Sequence, residues 1–143
     1  MNFIYSKKQT NKILHIIYRM DDFNKIDEGG RINIIDAENF LQLSALKLKK
    51  DQTFDPHFHI WKSGEKKVIA QESWVVLKGS VKCKFYDIDS KILFEDILNV
   101  GDCSVTLEGG HNYEILEEKT MVYEFKTGPY KGQINDKVII NEV

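Results

Sequence analysis

The sequence predicts an all-β domain, a sandwich or barrel of short strands. Residues that favour strands (Ile, Val, Tyr, Phe and Trp) are abundant, whereas alanine is scarce. Clusters of turn-forming residues recur at short intervals between apolar segments, and no segment has the convincing pattern of a long helix. A chain of 143 residues is long enough for one domain with a core of its own.

The first strands are expected before residue 50. Residues 13–18 are apolar and rich in isoleucine; the same letters fit a short buried helix, but their brevity and β-branching favour a strand. His15 lies inside this segment and is interpreted as a packed or edge-strand residue, not as a metal ligand. Residues 31–35 form the next predicted strand. In residues 40–49 the apolar positions change phase midway, which predicts a β-bulge or a strand that changes neighbours.

The rest of the chain predicts strands of similar length. Residues 92–99 also fit an amphipathic helix, but the turn signals on both sides favour a strand. Residues 62–67 are polar and predict a loop. The remaining predicted strands are residues 68–77, 81–86, 104–107, 113–116 and 120–126.

Composition excludes several classes of protein. The formal net charge is −2, and no basic stripe is interleaved with aromatic residues, so no nucleic-acid partner is expected. No stretch approaches the ~18 apolar residues of a membrane helix, and the N-terminus lacks the apolar run of a signal peptide. Cys83 and Cys103 are too few for a disulfide framework and predict reduced thiols. These features predict a cytoplasmic location without membrane contact.

Two histidines are one residue apart in a segment that favours a strand. Side chains alternate between the faces of a strand, so His57 and His59 point the same way and Phe58 points oppositely. Two imidazoles on one face can converge on a metal ion. Glu65 and Glu72 are the nearest acids downstream. Glu65 lies in the polar loop, whereas Glu72 begins an apolar strand, where an inward carboxylate needs a compensating partner.

The third candidate histidine follows a glycine pair. Gly109 and Gly110 can bend the chain sharply before His111, and Tyr113 then lies on the same face as His111. Trp74 shares a face with Glu72 by the same alternation. Trp74 and Phe58 are candidate surfaces for stacking on a substrate, and Tyr113 is a candidate acid–base group.

Two stretches have the spacing of known motifs. The first motif is a histidine pair, then a glutamate, six residues and a glycine; the second opens with a glycine, passes a turn and ends in a histidine. In this chain they read as His57, His59, Glu72 and Gly79, and as Gly101, Gly109, Gly110 and His111. This pattern resembles the cupin superfamily.

The resemblance implies a jelly roll, or double-stranded β-helix barrel, with extra N-terminal strands. The single domain 1–143 would comprise N-terminal strands in residues 1–39, a barrel in 40–126 and a C-terminal segment in 127–143. The resemblance also implies one divalent transition metal, bound by His57, His59, Glu72 and His111. Such ligands suit iron, manganese, nickel, zinc or copper. Glu72 is either a ligand or a general base.

The C-terminal residues have a second, shorter resemblance. Residues 124–130, followed by Asp136 and Lys137, are similar to the end of small cupins associated with surface polysaccharide and lipopolysaccharide synthesis. The Gly128–Pro129 turn can place Tyr130 over the barrel mouth, as a proton donor or a sugar-stacking group, although a surface tyrosine fits equally.

Three functions are consistent with these residues. The first is a metal-dependent cupin that acts on a small polar substrate, a sugar or sugar nucleotide, by isomerisation, epimerisation or related chemistry such as oxygenation. The second is a metal-independent isomerase or epimerase, with a histidine base and a tyrosine acid. The third is a cupin that binds a ligand without turning it over. The N-terminal strands predict a homodimer formed by edge-strand addition.

Overall fold

The computed structural model describes residues 1–6, 8–62 and 68–140. Within these residues the chain forms fourteen strands and two short 3-10 helices, Met20–Lys25 and Gln133–Asn135. The first seven strands are β1 Asn2–Tyr5, β2 Ile13–Ile17, β3 Gly30–Asn33, β4 Leu41–Leu48, β5 His57–His59, β6 Trp61–Lys62 and β7 Val68–Ile69. The others are β8 Glu72–Lys78, β9 Val81–Tyr86, β10 Ile92–Leu98, β11 Cys103–Thr106, β12 Gly110–Ile115, β13 Thr120–Thr127 and β14 Lys137–Ile139.

Two five-stranded antiparallel sheets form the body of the fold. One has the order β10-β9-β12-β5-β14 and the other the order β11-β8-β13-β4-β3. Buried side chains from both sheets meet in one apolar core, whose largest members are Trp74, Tyr113, Leu46, Leu48 and Ile115. The predicted all-β jelly roll is therefore confirmed. Among the described residues, no helix is long and apolar enough to cross a membrane.

Strand β4 shows why one sequence prediction was wrong. Its register with β13 runs from Leu41 to Leu48 without a shift, so β4 contains no bulge and keeps this neighbour along its whole length. Its apolar residues change phase because both faces of the strand are covered. Leu46 and Leu48 face the core between the sheets, whereas Leu43 and Ala45 pack in a second cluster around Phe23.

The two helix alternatives are also resolved. Residues 13–18 contain the strand β2, as their brevity and β-branching favoured, and residues 92–99 contain β10, as the turn signals favoured. The predicted polar loop, with Glu65, falls mainly in residues 63–67, which lie outside the described residues.

The N-terminal residues cover the outer face of one sheet. The β1–β2 hairpin is a separate two-stranded sheet, and Ile16 and Tyr18 at its end pack on the cluster that contains Phe23. The amino group of Met1 and the side chain of Lys25 each lie 2.6 Å from Asp22 Oδ1. The β1–β2 hairpin thus lies outside the two five-stranded sheets, whereas β3, which also falls within residues 1–39, is the edge strand of one of them.

A glycine makes the turn between β8 and β9 possible. Gly79 has a φ of +77°, and a Cβ added there would overlap Thr120 Oγ1. We expect Gly79→Ala to lower the free energy of unfolding by about 2 kcal/mol or more, because strain in the left-handed region adds to the clash. Urea unfolding would measure this.

Gly101→Ala is the matched control for that substitution. Gly101 also has a positive φ, +92°, but no atom lies within 4 Å of its added Cβ. Gly101→Ala therefore measures the backbone strain alone, which should lower the free energy of unfolding by about 1–2 kcal/mol. Equal costs for the two variants would contradict a role for the contact with Thr120.

Candidate metal centre

Four buried side chains converge between the two sheets. His57 and His59 on β5, Glu72 at the start of β8 and His111 on β12 place one donor atom each within 4.8 Å of one another. His57 and His111 are directly opposite in the β5–β12 pair, so their side chains lie on the same face. Glu72 comes from the other sheet. The sequence therefore places the three imidazoles on one wall and the carboxylate facing them.

Hydrogen bonds orient two of the imidazoles. His57 Nδ1 lies 2.8 Å from the carbonyl oxygen of Asp55, and His59 Nδ1 lies 3.0 Å from Asp136 Oδ2. Carbonyl and carboxylate oxygens only accept, so each Nδ1 carries the hydrogen. In the neutral rings, the lone pairs of both Nε2 atoms are then directed at the cluster, which is the form that ligates metals.

Imidazole nitrogens face the Glu72 carboxylate inside the cluster. His59 Nε2 lies 3.2 Å from Glu72 Oε2, and His111 Nε2 lies 3.3 Å from Glu72 Oε1. Neither ring nitrogen of His111 makes a hydrogen bond with the described residues, although both are buried. The hydrogen of a neutral His59 is on Nδ1, so its Nε2 and Glu72 Oε2 both present lone pairs and require a proton or a metal ion between them. This donor set fits a divalent transition metal.

Burial and neighbouring charges shift the ionisation of these groups in different directions. Burial, helped by the nearby His111, lowers the pKa of His57 to about 3. Burial also opposes a charge on His59, but hydrogen bonds to Asp136 and Glu72 outweigh it and raise the pKa of His59. The imidazoles of His111 and His59 outweigh the burial of Glu72 and hold its pKa well below the ordinary value.

A cavity of about 310 Å³ adjoins the cluster. Its wall includes His57 and Glu72, so a small molecule in the cavity can reach the candidate metal centre. The other lining residues are Arg31, Asn33, Ala37, Gln42, Phe54, Trp74, Asn112, Tyr113, Glu124, Lys126, Tyr130 and Lys137.

Of the predicted substrate and acid–base residues, three line the cavity. Trp74 is only 2% exposed, stacks on Tyr113 with ring centroids 4.1 Å apart, and donates its indole N–H to Glu72 Oε1 over 3.0 Å. Tyr113 hydrogen bonds to Ser104 Oγ over 2.8 Å, and burial raises the pKa of its hydroxyl. Tyr130 lies at the cavity with Lys126 Nζ 4.6 Å from its ring centroid.

Phe58 is placed differently. It alternates with His57 and His59 along β5, and it is not among the described residues that line the cavity. Its ring therefore offers no stacking surface in this cavity, because neighbouring residues of a strand point to opposite faces.

Several charged residues near the site were missed by reasoning from the sequence. Arg31 Nη2 and Nη1 lie 2.6 and 3.1 Å from the two carboxylate oxygens of the buried Glu124, across 93 positions in sequence. Asp136, fully buried, contacts both His59 and Lys126. The only available signal for Asp136 and Lys137 was their place in the C-terminal resemblance.

Solved structures provide an independent comparison. The chain superposes on a cupin-2 domain protein of Shewanella frigidimarina with a TM-score of 0.56, covering 79% of this chain and 95% of that one at 17% identity. The chain has the cupin fold. The fold inferred from the histidine motifs is thus confirmed.

Two further cupin structures match the chain. The capsular polysaccharide assembling protein CapF of Staphylococcus aureus gives a TM-score of 0.65 at 18% identity, with 81% of this cupin but only 30% of the CapF chain covered. KdgF of Halomonas sp. gives a TM-score of 0.54 at 17% identity, and the match covers 71% of this chain and 81% of the KdgF chain. No protein-family model and no curated protein sequence matches the chain. Because the sequence identities are only 17–18%, these comparisons establish the fold alone.

Proposed function

We propose that this cupin binds one divalent transition metal through His57, His59, Glu72 and His111 and acts on a small polar substrate. The observation that carries the proposal is the convergence of imidazole nitrogens on the Glu72 carboxylate at 3.2–3.3 Å, in a buried cluster that opens to a cavity. Iron, manganese, nickel, zinc and copper all suit these ligands.

The reaction class we propose is the isomerisation or epimerisation of a sugar or sugar nucleotide in surface polysaccharide metabolism. A bound metal would polarise a carbonyl or hydroxyl oxygen of the substrate. The cavity supplies hydrogen-bonding groups suited to sugar hydroxyls, such as Asn33, Gln42 and Asn112. The match to CapF, a capsular polysaccharide assembling protein, supports this choice of substrate.

Two tyrosines are the proposed acid–base groups. Burial keeps Tyr113 in its neutral phenol form, so it can donate a proton or a hydrogen bond but cannot serve as a base. Its hydroxyl is engaged with Ser104. Tyr130 also lines the cavity, and Lys126 Nζ lies over its ring, 4.6 Å from the centroid. Tyr130 is therefore the better placed proton donor.

Metal analysis tests the proposal. Plasma mass spectrometry on untagged protein should find about one divalent transition metal per chain, and the His57→Ala, His59→Ala double variant should lose it. His15→Ala is the matched control, because His15 lies on the exposed β2 hairpin away from the cluster. Absence of metal after loading with several ions would contradict the proposal and favour the metal-independent histidine–tyrosine enzyme or a ligand-binding protein.

The pH dependence of metal binding is expected to follow His59. The pKa of His59 lies above the ordinary value because of its hydrogen bonds to Asp136 and Glu72, so a proton competes with the metal for this ring at a higher pH than it does at an ordinary histidine. Affinity should fall as the pH decreases, approaching tenfold per pH unit for one proton. His57, with a pKa of about 3, releases no proton in this range. Calorimetric titrations from about pH 6 to 8 measure the dependence; constant affinity would contradict it.

We also propose that the chain forms a homodimer through its N-terminal hairpin. Apolar side chains on both strands are exposed, among them Ile4 at 44%, Tyr5 at 53% and Leu14 at 51%. An isolated two-stranded hairpin is marginal in water, so a second copy would stabilise it. Light scattering should give the mass of a dimer and Leu14→Glu that of a monomer. Ile88→Glu, at an exposed turn, is the control; a monomeric wild type would contradict the proposal.

A further inference from the structure

Strand register places a lysine directly opposite two of the four proposed ligands. Lys137 of β14 pairs with His59 of β5, and Lys126 of β13 pairs with Glu72 of β8. Directly opposite residues of an antiparallel pair have side chains on the same face. Both lysines therefore point into the space between the sheets, and both line the cavity beside the cluster.

The two ammonium groups lie close to the candidate metal centre. Lys137 Nζ is 3.4 Å from His57 Nε2, the atom that would bind the metal. Lys126 Nζ is 3.2 Å from Asp136 Oδ2, and the Lys126 side chain is only 10% exposed. Arg31, the third cation of the cavity, already forms an ion pair with Glu124, and its Nη2 also donates to Ser44 Oγ over 2.8 Å.

The charges around the cavity balance before a metal is added. Three cations, Arg31, Lys126 and Lys137, are matched by the carboxylates of Glu72, Glu124 and the adjoining Asp136. A divalent metal would add two positive charges to this set. It would also occupy the lone pair of His57 Nε2, which is the acceptor that Lys137 faces. Positive charge in a partly enclosed cavity requires a counter-charge.

We infer that the ligand of this cavity carries an oxyanion, a carboxylate or a phosphate, that lies between the metal centre and the ammonium groups of Lys137 and Lys126. This inference rests on the proposed function, because the excess charge comes from the metal. Charge-assisted hydrogen bonds to an ammonium are among the strongest that a small ligand can make. The cavity volume of about 310 Å³ is at the small end of ligand sites and suits a group of monosaccharide size.

Binding measurements on Zn²⁺-loaded protein test the inference. Isothermal titration at constant ionic strength compares D-glucuronate, D-glucose 1-phosphate and neutral D-glucose. At least one of the two anions should bind about tenfold or more tightly than glucose, and the tighter anion identifies the oxyanion. Lys137→Gln should reduce this preference about tenfold or more, whereas Lys137→Arg, which keeps the charge, should retain most of it.

Controls separate this inference from the proposed function. Lys131→Gln, an exposed residue of the same C-terminal segment that does not line the cavity, should keep the full preference. Thermal unfolding checks that each variant is folded, and metal content is measured on the same samples. Samples that hold no Zn²⁺ would contradict the proposed function. Samples that hold Zn²⁺ but bind neither anion more tightly than glucose, or keep the preference in Lys137→Gln, would overturn the inference alone.

Discussion

Replacing Trp74 with alanine is expected to lower the free energy of unfolding by about 3–5 kcal/mol. Trp74 is among the largest fully buried side chains. Its ring stacks on Tyr113 and meets the edge of Phe54 with centroids 5.5 Å apart. Alanine would leave a void where the two sheets meet. Urea denaturation of metal-free protein measures the loss.

Two variants separate packing from hydrogen bonding at this position. Trp74→Phe keeps most of the apolar volume but removes the N–H that donates to Glu72 Oε1. We expect Trp74→Phe to lower the free energy of unfolding by about 1–3 kcal/mol, the range for a buried polar group that loses its partner. Trp61→Ala is the control, because Trp61 is 55% exposed and its loss should change stability by about 0.5 kcal/mol or less. Equal losses in Trp74→Ala and Trp61→Ala would contradict the core role of Trp74.

Replacing Asp136 with asparagine is expected to weaken metal binding by about 10–100-fold. Asp136 is fully buried and accepts a hydrogen bond from His59 Nδ1. A negative carboxylate at that nitrogen fixes the tautomer and makes the opposite nitrogen a stronger ligand. Asparagine has nearly the same shape but lacks the charge. Competition with a metal chelator at about pH 8 measures the affinity.

The pH dependence distinguishes this positioning role from a general structural one. Asp136 is one of the groups that raise the pKa of His59, so the pKa should fall in Asp136→Asn. The drop in metal affinity on acidification should then begin at a lower pH than in the wild type. Asp27→Asn, at an exposed position, should leave both affinity and pH dependence unchanged. Unchanged affinity in Asp136→Asn would contradict the prediction.

The C-terminal segment therefore completes the candidate site. Strand β14 pairs with β5, so it positions Lys137 next to the two histidines, and the residue before it supplies the Asp136 carboxylate. Lys126 joins this group through its contact with Asp136.

Local pattern was sufficient for the fold class and for the main donors. Strand alternation alone placed His57 and His59 on one face, and motif spacing added Glu72 and His111. The four side chains converge in the structure; alternation along a strand is a property of a short stretch, whereas the choice of Glu72 and His111 came from the resemblance to cupins. The same alternation also shows why Phe58 cannot share the histidines' cavity.

Long-range pairing decided the rest. The phase change in β4 has the appearance of a bulge in the sequence, but it arises because two separate apolar clusters cover the strand's two faces. Likewise, Arg31 meets Glu124 across 93 positions, and Asp136 meets His59 across 77. No local pattern encodes such contacts, because strand order and register bring distant charges together. The sequence by itself pointed to the four candidate donors, because alternation and motif spacing are local, and only the tertiary structure determined which charges surround them.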